Sequence, residues 1–153
     1  YSSPFSRTIE TAQLALEGAG QAHLAQDETR FQLLDALMER DFGTTLEGEP
    51  YGVGYVSTWD EDAKSTKYKA GTLQGSDDGE SVDDVSTRLR RMFKVLEEKH
   101  SGDDILLVSH GDTLSIMQAT MEEADTRQHR KFSFENCELR LLGTGPGSEY
   151  QGF

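Results

Sequence analysis

Ile105-Leu106-Leu107-Val108 is an uninterrupted apolar run, preceded by Asp103-Asp104 and followed by Ser109-His110-Gly111. A short apolar run with β-branched ends and turn-forming flanks has the length of a buried parallel strand rather than a helix. Helical spacing resumes over residues 113–121, so the stretch reads as strand, tight turn, helix. Such a unit must bury both faces of its strand. The expected fold class is therefore α/β: a three-layer sandwich with a mostly parallel sheet and helices on both faces.

The rest of the chain fits around that unit. Ser3-Pro4 suits a helix start, with Ser3 as cap, and Phe5, Ile9, Ala12 and Leu16 follow at helical spacing until Gly18 and Gly20. Residues 22–25 read as a short strand and 29–38 as a short helix or an extended approach to Glu39-Arg40. Residues 41–79 form a Gly-, Asp-, Thr- and Ser-rich excursion with at most a short helix near Trp59–Lys67. Ser81 caps a strong helix, with Asp84 placed as the acid of a capping box. Val82, Val85, Leu89, Met92, Phe93 and Leu96 make its buried stripe. Residues 137–142 read as a last strand and 144–153 as a loose tail. All 153 residues read as one domain.

Acidic residues outnumber basic ones 28 to 15, a net charge of −13. That balance argues against nucleic acid and anionic membranes as partners, since both are bound by clustered Lys and Arg. An anion site on such a chain must be local, built from a few Arg, His and backbone N–H groups. Cys137 is the lone cysteine, which excludes an internal disulfide and points to a reduced, intracellular, cytoplasmic setting. The first residue is Tyr1 rather than Met, so targeting is untested by the sequence.

Three places carry candidate chemistry. Ser109-His110-Gly111 stands at the carboxyl end of the expected strand and before a helix, where ligands of open α/β sheets bind. There Gly111 lets backbone approach a ligand, the helix offers unpaired N–H groups, and His110 can bond an anionic oxygen. A histidine that merely caps the strand is the competing reading. Arg7 sits in the first turn of the first helix, against the helix dipole, which makes sense if it grips a bound anion. Taken alone it is a solvated surface arginine. Glu39, within Met38-Glu39-Arg40-Asp41-Phe42-Gly43, is a carboxylate among apolar neighbours that could have a raised pKa and serve as a general acid. Taken alone it is an exposed carboxylate paired with Arg40.

Other patterns carry less. Leu107 stands where a nucleophile elbow needs Gly, so a serine hydrolase built on Ser109 is not expected. Residues 76–80 lack the spacing of an EF-hand, and His23, His100 and His129 lack zinc-ligand spacing. Arg88, Arg90 and Arg91 read as the wet face of their helix.

Taken in order, five segments resemble the histidine phosphatase superfamily, the phosphoglycerate-mutase-like proteins. SSPFSRTIETA (2–12) is similar to its SSPLxRAxxTA segment, and MERDFGTTLEG (38–48) to its ERxFGxxEG segment. GESVDDVSTRLRRMF (79–93) resembles its GES-plus-helix, ILLVSHGDTL (105–114) its strand ending in SHG, and ENCELRLL (135–142) its last strand. The resemblance implies a phosphohistidine mechanism with no cofactor and no metal. Arg7 would bind the phosphoryl oxygens together with His110 and Gly111. His110 would stabilise the transferring group, and Glu39 would protonate the leaving oxygen and later activate water. Arg40 and Phe42 would contact substrate.

The family's nucleophile lies in an Arg-His-Gly segment ahead of SSP, and no such tripeptide occurs here. The expectation is a domain cut at its N-terminus, without its first, central strand, exposing apolar edges and having no turnover of its own. The parent would be a phosphomonoesterase acting on a small phosphorylated metabolite. Mutases of the family carry a WRRS-type segment for a second phosphate; the best match here is Trp59-Asp60-Glu61-Asp62, where acids replace the arginines, although Lys64, Lys67 and Lys69 could partly compensate. A mutase-type phosphotransferase and a non-catalytic phosphate- or partner-binding pseudoenzyme are the alternatives.

Overall fold

The computed structural model describes residues 1–46, 51–75 and 77–142. The helices are α1 (Ser6–Gly18), α2 (Tyr51–Asp62), α3 (Val82–Lys99) and α4 (Gly111–Met121), with 3-10 turns at Ala22–Gln26, Asp35–Leu37, Thr72–Gln74 and Thr126–Phe132. Glu47, Gly48, Ser76 and the expected tail at 144–153 lie outside the described residues.

α3 forms for the reasons its sequence offers. The Ser81 Oγ accepts from the Asp84 N–H, and the Asp84 carboxylate accepts in return from the Ser81 N–H. This reciprocal capping box satisfies two orphan donors of the first turn. Val82, Val85, Leu89, Met92 and Leu96 then fall on one buried face and pack with Leu37 and with Ile116 and Met117 of α4. Phe93 is only partly buried at the rim of this core. A second, smaller cluster joins Phe42, Leu46 and Ala70, with Tyr55 packed against it.

The expected three-layer sandwich is not what the structure contains. It is helical, and the described residues form no sheet. Only two isolated parallel bridges occur, Ser2 to Leu33 and Ser2 to Val108. Each is a pair of backbone bonds: Ser2 N–H to Gln32 O and Leu34 N–H to Ser2 O on one side, Val108 N–H to Tyr1 O and Ser3 N–H to Val108 O on the other. The physical reason is the shortness of the middle segment. Pro4 follows Ser3 and has no N–H to continue a ladder, and the chain turns at once into α1. Residues 105–108 are thus not a buried strand, and Ile105 stays 40% exposed.

Residues 29–38, expected as a short helix or an extended approach to Glu39-Arg40, hold one bridge, extended Leu34 and Met38, and the Asp35–Leu37 turn. Two further expectations are corrected. Residues 22–25 lie in a 3-10 turn. Residues 137–142 do not pair as a strand: Cys137 adopts φ 61°, closing a turn in which Glu138 N–H bonds Glu135 O. Arg140 folds back onto Phe132 O and Ser133 O, and Leu139 and Leu141 are exposed. The first helix begins at Ser6 with Phe5 at its cap rather than Ser3, whose hydroxyl meets His110 Nε2 and the Phe5 N–H.

Candidate active site

The first turn of α4 is where the nominated residues meet. His110 precedes the helix in extended conformation (φ −120°, ψ 162°), which turns its ring away from the helix barrel. Its Nδ1 lies 2.9 Å from Arg7 Nη2, and its Nε2 lies 2.8 Å from Ser3 Oγ. A guanidinium only donates, so Nδ1 is the acceptor and the ring proton sits on Nε2, facing Ser3. Burial, the Arg7 charge and the Arg88 charge hold the His110 pKa down to about 4, so the ring is neutral at pH 7. Phe5 packs edge-on against the ring at 5.0 Å and lies beneath the Arg7 guanidinium at 4.8 Å. Arg7 is exposed, and among the described residues its side chain bonds only His110. A Cβ placed on Gly111 would meet nothing within 4 Å, so the space above this turn is open.

Glu39 reaches the same turn from the other side. Its Oε1 accepts from the Arg40 N–H at 3.0 Å, from the Thr113 N–H at 3.3 Å and from the Thr113 hydroxyl at 3.3 Å. Burial, and secondarily the nearby Asp112 carboxylate, raise its pKa above the ordinary value, and these three donors only partly oppose the rise. Arg7, Glu39 and His110 therefore converge on α4 residues 110–113, whereas the cleft lined by Tyr1, Leu16, Leu24, Phe31, His100 and Leu106 holds none of them.

Arg40 and Phe42 are placed differently. The Arg40 guanidinium is fully buried and bonds both Asp62 oxygens at 2.6 and 2.9 Å, Asp112 at 3.3 Å and the Glu80 carbonyl at 3.0 Å. With those partners it pairs with acids of the protein rather than facing the open turn, and it is not the partner of Glu39's carboxylate. Phe42 is buried against Tyr55, ring centroids 4.1 Å apart. Asp112 anchors the inner side of the turn: it accepts from Trp59 Nε1 at 3.0 Å and His129 Nε2 at 3.2 Å. Burial alone would raise its pKa, but His129, Arg40 and Arg130 outweigh burial and lower it.

The segment resembling the mutase motif is occupied by structural pairs. Asp62 belongs to Arg40, Glu61 pairs with Lys64 at 2.6 Å, and Lys69 pairs with Asp84 at 2.6 Å. Ser109 donates to Leu37 O at 2.7 Å, so its hydroxyl holds backbone instead of facing a histidine.

Sequence reasoning missed Ser3, Thr113 and Arg88. Arg88 is half-buried and bonds Ala36 O, Met38 O and Glu80, unlike exposed Arg90 and Arg91. The signal was present: residue 88 lies three positions after Val85 and four before Met92, beside the apolar stripe.

The profile of the histidine phosphatase superfamily, branch 1, matches residues 1–150, and the chain belongs to that superfamily. A 2,3-bisphosphoglycerate-dependent phosphoglycerate mutase 2 from Gloeobacter violaceus is 27% identical over 147 residues, covering 90% of this chain. The chain spans 60% of that relative's length. No solved structure gives a significant match.

Proposed function

We propose that the protein is a phosphomonoesterase for a small phosphorylated metabolite, working through a phosphohistidine whose nucleophilic histidine is supplied from outside residues 1–153. The observation that carries this reading is the Arg7–His110 contact at the open end of α4, with unspent Arg7 donors there and the Glu39 carboxyl, of raised pKa, bonded to Thr113 of the same turn. The free guanidinium N–H groups bind phosphoryl oxygens in bidentate fashion, helped by the first-turn N–H groups of α4. Neutral His110 offers its Nε2–H to the same group when released from Ser3. Phosphoryl transfer is mostly such positioning and charge stabilisation.

Glu39 supplies the proton chemistry. In the first step the nucleophilic imidazole bonds phosphorus, the ester P–O bond breaks, and protonated Glu39 gives its proton to the leaving alkoxide. The carboxylate that remains is stabilised by the Arg40 and Thr113 donors. In the second step Glu39 takes a proton from water as the water oxygen bonds phosphorus and the P–N bond breaks. Inorganic phosphate and free imidazole result.

Trapping the phosphoenzyme tests this. Full-length protein given a labelled phosphomonoester should yield an acid-labile phosphohistidine that maps outside residues 1–153, and residues 1–153 alone should not turn over. Label on His110, or hydrolysis by residues 1–153 alone, would overturn the assignment.

A second reading, a mutase-type phosphotransferase, is favoured by the likeness to the Gloeobacter violaceus phosphoglycerate mutase. Asp60 and Glu61 stand where the mutase motif carries arginines, so the segment offers no guanidinium to a second phosphate, which favours hydrolysis. Isomerised monophosphate in place of free phosphate as the main product would decide for the mutase.

A further inference from the structure

Residues 36–39 run across the entrance of α4 with little backbone pairing of their own. The 3-10 turn Asp35–Leu37 ends at Met38, which is extended (φ −60°, ψ 156°). The three carbonyls that precede Glu39 are held by side chains instead. Arg88 donates from Nη1 to Ala36 O at 2.6 Å and from Nη2 to Met38 O at 3.0 Å. Between them Leu37 O takes the Ser109 hydroxyl, and Met38 O also takes the Thr113 hydroxyl at 2.9 Å. The other edge of the Arg88 guanidinium rests on Glu80, Nε to Oε1 at 2.8 Å and Nη2 to Oε2 at 3.0 Å.

Glu80 in turn holds the residues just after Glu39. Its carbonyl accepts from Arg40 Nε at 3.0 Å, its N–H donates to Asp41 O at 2.8 Å, and its Oε2 accepts from Asp41 N–H at 3.0 Å. One rigid planar fork, fixed by one carboxylate, thus brackets Glu39 on both sides. A lysine cannot do this, since an ammonium is a single point charge without the fork.

We propose that Arg88, oriented by Glu80, is the positioning residue for Glu39, setting its carboxyl for proton transfer by gripping the carbonyls of residues 36 and 38. The inference rests on the phosphomonoesterase reading for what Glu39 does, but the grip itself is independent of it. Arg88 touches neither substrate nor the reacting atoms in this role. Its charge also helps to keep His110 neutral, but the grip on the carbonyls acts through Glu39.

Two readouts test it. In residues 1–153, side-chain carbon NMR should find Glu39 titrating above the ordinary carboxylate range. Arg88→Met should bring that midpoint down toward 4.5 as the loosened segment hydrates, and Arg88→Lys should do the same in part, while Arg90→Met leaves it in place. In the full-length protein, kcat for an alkyl phosphate should fall by about tenfold or more in Arg88→Met, with KM nearly constant. The single-turnover rate of phosphoenzyme formation from nitrophenyl phosphate, whose leaving group needs no acid, should change little, whereas that from the alkyl phosphate should fall with kcat.

In phosphoenzyme formation Glu39→Gln should show the same leaving-group dependence, and the double variant should be no slower than Glu39→Gln alone. A Glu39 midpoint unmoved by Arg88→Met, or equal slowing of phosphoenzyme formation from both esters by that variant alone, would overturn the positioning role. If Glu39→Gln itself slowed phosphoenzyme formation from both esters alike, the acid assignment would fall instead, and the midpoint shift would still decide on the grip.

Discussion

Arg7 and Arg40 stand on opposite sides of one helix entrance, and their surroundings differ in kind. Arg40 is sealed: both its nitrogen edges meet Asp62, Asp112 and the Glu80 carbonyl, and its side chain is 0% exposed. Arg7 is open to solvent, bonds His110 through one nitrogen, and lies over the Phe5 ring. The inner arginine has spent its donors on the protein and so serves the fold. The outer one has donors left for an anion. A buried charge that is fully paired holds a structure together, whereas an exposed one with unspent donors is available for ligand.

The largest effect that would break this contrast is on stability. Arg40→Met should cost about 3–5 kcal/mol, because it leaves Asp62 buried without its cation and takes from Asp112 one of its partners. Arg7→Met should stay within about 0.5 kcal/mol, as surface substitutions do. Urea denaturation of the two variants measures both, and equal losses would erase the distinction.

Next in size is the behaviour of the two titrating side chains at the start of α4, His110 and Glu39. His110 has its pKa depressed from 6.5 to about 4, so the unfolded chain binds its proton more readily than the folded one. Stability contributed by keeping that ring neutral is present above pH 6.5 and is lost as pH falls toward about 4. His110→Asn should flatten that part of the stability profile. A profile unchanged by the substitution would show that the ring is not held neutral.

Glu39 has the opposite sign. Its raised pKa means the folded state keeps a proton longer, so stability declines as pH rises through the folded midpoint. Glu39→Gln should therefore cost no stability at pH 7 while reducing alkyl-phosphate turnover of the full-length protein by about 10²–10⁴-fold. A marked destabilisation would recast Glu39 as structural. Ser3→Ala should cost about 1 kcal/mol for the lost bond to His110 Nε2, read by thermal melting.

The same contrast explains what the sequence made legible. α3 was readable because its stripe and capping box are local: residues 81 and 84 cap each other, and 82, 85, 89, 92 and 96 share a face whatever lies opposite. The Arg7–His110–Glu39 convergence was readable through ordered motifs, each carrying its own turn or helix start. Sheet formation was not readable, because a ladder depends on partners far away in sequence. Residues 105–108 have the composition of a strand but meet only the short segment Tyr1–Ser3, which Pro4 ends. Arg40 and Arg88 were misjudged for a related reason. A charged side chain looks wet in sequence, and only the arrival of Asp62 and Asp112, or of the carbonyls of residues 36 and 38, turns it inward.

The central claim is that the open arginine and the neutral histidine form one phosphate site. Titrating inorganic phosphate into the full-length protein while following the His110 ring nitrogens by NMR tests it most directly. The account predicts a saturable shift at His110, with affinity weakened at least about tenfold by Arg7→Met, in keeping with loss of a charge-assisted bond. A His110 ring indifferent to phosphate, or a response that Arg7→Met leaves intact, would contradict it.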